Sequence, residues 1–596
     1  MPSFFIIDGV ALDDKISLPQ TMQKRLFEAL KKLKKERNEL LDQLERFKYQ
    51  KSKRFHKILI GGTVGVCCIG TYVYYKKEFD FFGQALTRSS RTLLTVLKIS
   101  FDYRVSLNRW WDLESQNPSW DYANDVEYQE ARRVCNIRTG RTLLKLFQRN
   151  AGIYIKLGQH LSALEYILPP EFCSVMAVLQ NEAPQSSIKD VEKVLKEDFD
   201  GKGIDDLFEE FDPLPIGAAS LAQVHTAKLK ETGEKVAIKI QHHSIQSYAE
   251  VDMFVVSLAV QGVKYFFPEF EFDWLADEMR TNLPKELDFI QEAHNSERVL
   301  WNFKQNSSRY KGVVESLNIP KIKWNQTTSR VLTMEYCPGA KITDLEFMKS
   351  NKIDPYEVSK RLSQIFSEMI FIHGFVHCDP HPGNVFIRLK NDVNVLKRWF
   401  WFNTPKWELV LLDHGLYKEI SSEFRLAYAR LWKSVIEGDV EKIKECCRDI
   451  GAGDAYRLFS SVLTHRTWSS VSVRAISSQT TLEEMQLIKE RAPGYLVQVA
   501  DFLAKIPRPL LLLLKTNDLL RAIERSLTLP GDCRPVQSFF ITTRYCADAI
   551  YLDGVQAESG ISLLRFTKLY FDRLLTLFKV NVFEFLVRMK IIIVGK

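Results

Sequence analysis

Hydrophobic and polar positions change period several times along this chain, and each period predicts a different element. Leu26, Leu30, Leu33, Leu40, Leu44 and Phe47 recur at alternating spacings of four and three, with Arg37 in the one vacant slot. This seam covers about three heptads and predicts an amphipathic helix. A short coiled coil or helical hairpin satisfies it, and so does a solvated helix with no partner. Ile58 to Tyr75 then reads ILIGGTVGVCCIGTYVYY, 18 residues without a charge. At 1.5 Å per residue the run is about 27 Å long, close to the roughly 30 Å hydrocarbon core of a bilayer, and predicts one transmembrane helix. Tyr72, Tyr74 and Tyr75 would mark one interface, while Lys51, Lys53, Arg54 and Lys57 precede the run. A buried core helix is the alternative. Lys235 to Ile240 (KVAIKI) is a β-rich run behind a turn signal at Glu231-Thr232-Gly233, so it predicts a hairpin whose second strand carries Lys239. Pro507-Arg-Pro509 and the five leucines after it are too short to span a membrane and predict the start of a core helix. From Leu563 to Ile593, apolar residues are interleaved with Arg565, Lys568, Arg573, Lys579, Arg588 and Lys590. That pattern fits a membrane-surface helix and equally the last amphipathic helices of a folded body.

Composition narrows the class. With 596 residues, 45% hydrophobic, 38 Phe, 27 Gly and 21 Pro, the chain has a large apolar supply and few turn-formers. A helix-rich protein follows, and collagen, low-complexity disorder and disulfide scaffolds are excluded. Thr21 to Lys57 holds 13 Lys+Arg against 5 Asp+Glu, so the whole net charge of +8 lies in that arm and the remainder sums to zero. No nucleic-acid partner is expected. The ten cysteines include the adjacent pairs Cys67-Cys68 and Cys446-Cys447 but no CxxC, which suits reduced, mostly buried thiols rather than the secretory path. Asp8, Asp13 and Asp14 fit poorly with an acidic-poor mitochondrial presequence, leaving the basic arm as an internal targeting signal. The positive-inside rule keeps that arm on the insertion side and carries the body across the membrane.

Scattered pieces of phosphoryl-transfer chemistry follow one another in order. Pro215 to His225, with Gly217, Ala218, Ala219 and Ser220, supplies small residues where a phosphate-covering loop joins two strands and backbone N–H groups approach a nucleotide; a tight structural turn is the alternative. Lys239 in V-A-I-K matches the kinase lysine that neutralises the α- and β-phosphates of ATP. Val331 to Cys337 is an apolar strand running into a Pro-Gly turn, placing the backbone of Glu335 to Cys337 against an adenine in a kinase fold. His377-Cys-Asp379-Pro-His-Pro-Gly-Asn384 sets Asp and Asn five positions apart, as in a kinase catalytic loop, and Leu411-Leu412-Asp413-His414-Gly415 repeats the layout that offers a carboxylate to Mg²⁺. Hard carboxylate and amide oxygens favour magnesium. His377, His381 and His414 match no common zinc spacing.

On these residues the chain resembles the UbiB/aarF-domain family of atypical protein-kinase-like proteins, also called the ADCK group. Lys156-Leu-Gly-Gln159 resembles the family's KxGQ motif, Glu286-Leu-Asp288 its ExD motif, the Ala-rich stretch its glycine-loop replacement and HCDPHPGN its catalytic loop. The likeness extends from about Val134 to about Leu416. Gly217 to His225, Phe267 to Trp274 and Lys515 to Arg521 are most similar to the family's first, mitochondrial subgroup. Two departures stand out: Gly217 occupies a position where many members have Ala, and the first 50 residues have no counterpart.

The resemblance implies an α+β, bilobal, helix-rich kinase-like fold. Residues 1–57 would form the basic arm, 58–75 the transmembrane helix, 76–133 a helical linker and 134–210 the KxGQ extension. The N-lobe would take 211–340, the C-lobe 341–530 with an insert at about 388–407, and the C-terminal helices 531–596. It further implies that Lys239 pairs with Glu292, that Asn384 and Asp413 hold Mg²⁺, and that Asp379 orients the attacking hydroxyl or water. If residues 286–292 form one helix, Glu292 and Asp288 share a face and Glu286 lies about 160° from Asp288. By resemblance, Lys156 enters the cleft and meets the Glu286–Asp288 pair, with Gln159 beside it as a regulatory residue, where a protein substrate would otherwise bind. That disfavours protein phosphorylation in trans and favours nucleotide binding, ATP hydrolysis or transfer to a small or lipid-like acceptor. The insert segment Lys397-Arg-Trp-Phe-Trp-Phe402 suits a bilayer interface or a hairpin packed on the body. The expected setting is a mitochondrial membrane, the inner one favoured. Membrane lipids are the expected partners, with proteins at the N-terminal arm or C-terminal helices, and homodimer and monomer both stay open. The expected role is in membrane organisation and lipid homeostasis. A pseudokinase scaffold that uses nucleotide as a conformational ligand is the competing reading.

Overall fold

The computed structural model describes residues 6–7, 10–11, 28, 31, 35, 76–110, 125–162, 168–180, 185–243, 245–266, 273–305, 311–390, 405–453, 455–464, 468, 507–528, 537–556 and 563–594. The chain divides into two compact units after Gln84. In the first, β1 (Ile6–Ile7) and β2 (Val10–Ala11) form a two-residue antiparallel hairpin, and Glu28, Lys31 and Lys35 are helical and exposed. The expected transmembrane run, Ile58 to Tyr75, and the aromatic insert tip, Lys397 to Phe402, lie outside the described residues. Among the described residues, no helix is long and apolar enough to cross a membrane.

Helix α1 (Lys76–Ser106) leads into the second unit, followed by α2 (Val126–Asn150), α3 (Ile153–Ser162) and α4 (Pro170–Met176). The Asp125 carboxylate caps α2 by accepting from Tyr128 N–H at 2.9 Å, and Pro170 at the first position of α4 sacrifices an amide that no helix would use. These helices and the 3-10 turn Ala177–Gln180 bury Phe147, Tyr154, Ile155, Leu157, Met176 and Leu179 in the largest core cluster. A methyl group on Gly158 would overlap Leu179 Cδ1 and come within 2.9 Å of Phe147 Cδ2, so close approach requires glycine at this point of α3.

The N-lobe sheet is antiparallel, in the order β3 (Phe208–Phe211), β5 (Ala222–Leu229), β6 (Lys235–Gln241), β8 (Val331–Glu335), with β4 (Gly217–Ala218) also on β5. The expected hairpin is present: Gly233 takes φ +67° and donates to Leu229 O at 2.8 Å, closing the turn between β5 and β6. Alternation along β5 and β6 buries Ala227, Leu229, Val236, Ile238 and Ile240 against α5 (Ile188–Asp198), whose Val191, Val194 and Leu195 complete a second cluster.

Below the sheet, α6 (Ile245–Phe266), α7 (Asp273–Glu286) and α8 (Phe289–Gln305) lead into a helical lobe. There α9 (Pro355–Ser367) runs into a π-helical turn, Glu368–His373, which Gly374 ends at φ +65°. Two small sheets carry the chemistry: β10 (Phe375–His377) with β13 (Tyr417–Glu419), and β7 (Leu317–Asn318), β12 (Trp407–Leu411), β11 (Val385–Leu389), β9 (Ala340–Lys341) in that order. The β11–β12 ladder is in register from Val385↔Leu411 to Leu389↔Trp407, and Lys390 N–H donates to Lys406 O. The insert therefore starts beyond Lys390, slightly inside the expected limits. Helices α10 (Ser422–Glu437), α11 (Val440–Asp449), α12 (Arg508–Leu527) and α13 (Gln537–Gln556) complete the helical lobe, and α14 (Leu563–Val594) follows. Leu510, Leu513 and Leu514 are buried, as expected for a core helix after Pro507-Arg-Pro509.

Candidate nucleotide and phosphoryl-transfer site

Lys239 sits mid-strand on β6, where pairing on both sides fixes its backbone. Its Nζ donates to both Glu292 oxygens at 2.8 and 2.9 Å and to Asp413 Oδ1 at 3.4 Å, and lies 5.0 Å from the centre of the Phe289 ring. Glu292 belongs to the first turn of α8 and is 2% exposed. Burial pushes its carboxyl up to about 7 against the pull of Lys239. Burial alone would lower the Lys239 ammonium, but Asp413 and Glu292 hold it above its ordinary value, so the lysine stays charged.

Strand β10 delivers the loop His377 to Asn384. Asp379 N–H donates to His377 Nδ1 at 3.1 Å, His381 N–H to Asp379 O at 2.8 Å, and Asn384 Nδ2 to Asp379 O at 3.2 Å. Leu412 N–H donates to Asn384 O and Cys378 N–H to Leu416 O, each at 3.0 Å, tying this loop to the Asp413 loop. His414 is enclosed: its Nε2 lies 3.1 Å from Leu411 O and its Nδ1 2.9 Å from Tyr417 Oη, and burial pushes its imidazole down to about 3. A neutral ring donating from Nε2 and accepting at Nδ1 satisfies both contacts.

Asp413 Oδ1 also accepts from Gly415 N–H at 3.0 Å. Burial raises its carboxyl, but Lys239 and the Gly415 amide outweigh that and hold it at about 2. Asn384 commits its amide nitrogen to Asp379 O, leaving a carbonyl oxygen as acceptor, and Asp413 is an anion. One hard amide oxygen and one carboxylate fit Mg²⁺ completed by phosphate and water oxygens. Among the described residues, no cluster of three or more His, Cys, Asp or Glu is placed to hold a metal.

Lys156 reaches in from α3, its Nζ 2.7 Å from Glu286 Oε2. Burial opposes its charge, but Glu286, Asp379 and Asp413 together raise it above the ordinary lysine value. Gln159, one turn on, donates to Leu179 O at 2.9 Å and accepts from Ser220 Oγ at 3.3 Å, joining this helix to the Ala-rich loop.

Residues 286–292 are not one helix. Pro284 interrupts the ladder of α7, Phe289 N–H turns to Ser329 O at 3.0 Å, and Asp288 Oδ1 accepts from Ile290 N–H at 3.0 Å, starting α8. Glu286 therefore closes one helix and Glu292 opens the next, and Asp288 serves as a helix cap beside Lys156's partner. In the stretch Gly217 to Ser220, Gly217 and Ala218 pair with β5 as β4, Ala219 N–H donates to Ala222 O at 2.7 Å and His242 Nε2 meets Ala219 O at 3.0 Å. That amide closes the loop's own turn, so the expected row of free donors is incomplete there. An added methyl at Gly217 meets nothing within 4 Å, so an alanine fits. Lys515, which sequence alone does not single out as a site residue, brings its Nζ to 3.2 Å from Asp379 Oδ1. Glu335 and Cys337, expected on the adenine side, both contact Arg388 at 3.2 Å, and Arg388 also pairs with Glu408 on β12.

A family profile for the ABC1 atypical kinase-like domain matches residues 178–447. The AarF domain-containing protein kinase 1 of Mus musculus is 40% identical over 528 residues, covering 89% of this chain and 94% of its own length. The chain belongs to the ABC1/AarF family. Across the family the likeness extends to the AarF domain-containing kinase 1 of Drosophila melanogaster, 37% identical over 85% of this chain and 92% of that protein. A Mycobacterium tuberculosis protein solved with erythromycin aligns over 68% of this chain at 18% identity and a TM-score of 0.39. For an ABC1/AarF chain, the Lys156–Glu286 pair places the KxGQ helix against the kinase-like cleft.

Proposed function

We propose that this ABC1/AarF chain binds ATP with Mg²⁺ and acts as an atypical kinase or ATPase on water or a small or lipid-like acceptor. The observation that carries the reading is the convergence of Lys239, Glu292 and Asp413, with Asp379 and Asn384 on the loop tied to them. Lys239 would neutralise the α- and β-phosphates, and Asn384 and Asp413 would hold the metal, which supplies charge neutralisation across the phosphates when bound. Asp379 would orient the acceptor. The acceptor oxygen bonds to the γ-phosphorus as the bond to the ADP oxygen breaks, and the acceptor's proton leaves to Asp379 or to the transferred phosphoryl oxygens. Burial raises the Asp379 carboxyl, but Lys515, Lys156 and His377 hold it well below the usual carboxylate range, so it is a weak base suited to positioning.

Lys156 and Glu286 fill the acceptor side of the cleft, which speaks against a protein substrate entering it. The proposed setting is a mitochondrial membrane, inner by preference, reached through the basic arm and the run Ile58 to Tyr75, with a role in lipid homeostasis and membrane organisation. The same ion pairing of Asp379 favours a second reading, a pseudokinase scaffold that binds nucleotide without turning it over. An Asp379→Asn chain introduced into cells lacking the protein separates the two. Failure to rescue supports turnover, and full rescue sinks the enzyme.

A further inference from the structure

Among the described residues, Lys239, Lys156 and Lys515 each pair with a carboxylate at the cleft, and for two of them the partner lies outside the catalytic loop: Lys239 with Glu292 and Lys156 with Glu286. Lys515 pairs instead with Asp379 itself, at 3.2 Å. The loop His377 to Asn384 contains histidines but no lysine or arginine, so it brings no permanent cation to the phosphoryl group. We propose that Lys515 binds the terminal phosphate of ATP and is the residue through which this cleft distinguishes a nucleoside triphosphate from a diphosphate. The inference deepens the nucleotide-site reading above and rests on it.

Position supports it. An acceptor held by Asp379 must place its oxygen about 3–3.5 Å from the γ-phosphorus. A cation one hydrogen bond from that carboxylate is therefore within reach of the γ-phosphoryl oxygens, whereas Lys239, engaged with Glu292 and Asp413, faces the phosphates nearer the nucleoside. Lys515 is also built into the core. Leu512, one turn earlier on α12, packs against Cys378 and Leu416, the neighbours of the two catalytic loops, so the helix face that seats on those loops is the face that carries Lys515. Thr516 Oγ1 donates to Leu512 O and Asn517 Nδ2 to Tyr428 Oη, each at 2.8 Å, fixing the turn. The Lys515 side chain is 14% exposed, so its ammonium acts in a partly dehydrated cleft where a phosphate contact is strong. Arrival of the γ-phosphate gives Lys515 a second anion and loosens its hold on Asp379.

The test is calorimetric titration of the full chain with Mg-ATP and with Mg-ADP, for wild type, Lys515→Met, Lys515→Gln and Lys515→Arg. Loss of one charge-assisted contact predicts that Met and Gln weaken ATP roughly tenfold or more and leave ADP unchanged, while Arg keeps the preference for ATP. Should Met lower the unliganded melting temperature, Gln carries the comparison. Equal weakening of both nucleotides, or of neither, overturns the role of Lys515 while leaving the nucleotide site standing. A wild-type chain that binds neither nucleotide overturns the site and this inference together.

Discussion

Lys239 Nζ and Glu292 Oε1 lie 2.8 Å apart across 53 residues of chain, joining a sheet strand to the first turn of a helix. Lys239 is charged and Glu292 is nearly fully enclosed, so removing either strands the other in a poorly solvated place. Lys239→Met is expected to remove nucleotide binding measured by calorimetry, and Glu292→Gln to weaken it at least tenfold. Retention of wild-type affinity in both variants would contradict the assigned phosphate contacts.

Lys156 and Glu286 form the second buried pair, 2.7 Å apart. Glu286→Gln is expected to cost about 3 kcal/mol of stability, since it leaves an ammonium in the cleft without its partner. Lys156→Arg keeps the charge but carries a bulkier planar head, and is expected to loosen the cleft and raise autophosphorylation in a radiolabelled ATP assay. Unchanged autophosphorylation would remove Lys156 from any gating role.

Gly158 has no room for a side chain. Gly158→Ala drives its methyl into Leu179 and Phe147, and denaturant unfolding should show a loss of about 1–3 kcal/mol. Gly217→Ala, which meets nothing within 4 Å, is the matched control and should leave stability within about 0.5 kcal/mol.

Histidines buried in the neutral form should lower stability as the medium turns acid, against an opposite contribution from Glu292, whose carboxyl burial raises to about 7. Burial pushes His414 down to about 3 and, with Arg425 nearby, His373 down to about 4, and it lowers His225, His242, His377 and His381 as well. An unfolded chain protonates these rings as pH drops through about 6.5 while the folded chain does not, so the unfolded state gains protons and stability declines. Asp413, held at about 2, does not contribute in this window, since both states keep it ionised above pH 5. His373→Phe, beside the Phe303 ring, should reduce the loss between pH 6.5 and 5 by about 2 kcal/mol. Identical pH profiles for variant and wild type would refute the assignment of His373.

Much of this geometry was readable before folding because it is local. The hairpin at Gly233, the core helix after Pro507 and the pieces HCDPHPGN and LLDHG are short runs whose spacing fixes their backbone shape. The Lys239–Glu292 pair came from resemblance, and the structure places those side chains together. Long-range placement was another matter. Lys515 stands 136 residues from Asp379, and nothing in its own helical pattern points to a carboxylate. The break between Glu286 and Glu292 did leave a trace, Pro284 followed by Asp288, a helix stop and a helix cap within five positions. Helical spacing alone passed over it, since periodicity records faces and not where one ladder ends. The inward amide of Ala219 left no trace, because small residues permit a phosphate cradle and a closed turn alike.

Thermal unfolding of the full chain with and without Mg-ATP, beside Asp413→Asn, decides whether the cleft is a metal-assisted nucleotide site. Ligand at about 100 times its dissociation constant stabilises by about 2.7 kcal/mol, a shift of a few degrees. The expected result is a shift that needs Mg²⁺ and disappears in Asp413→Asn. A folded wild-type protein that shows no shift, or an Asp413→Asn variant that shifts as wild type does, would contradict it.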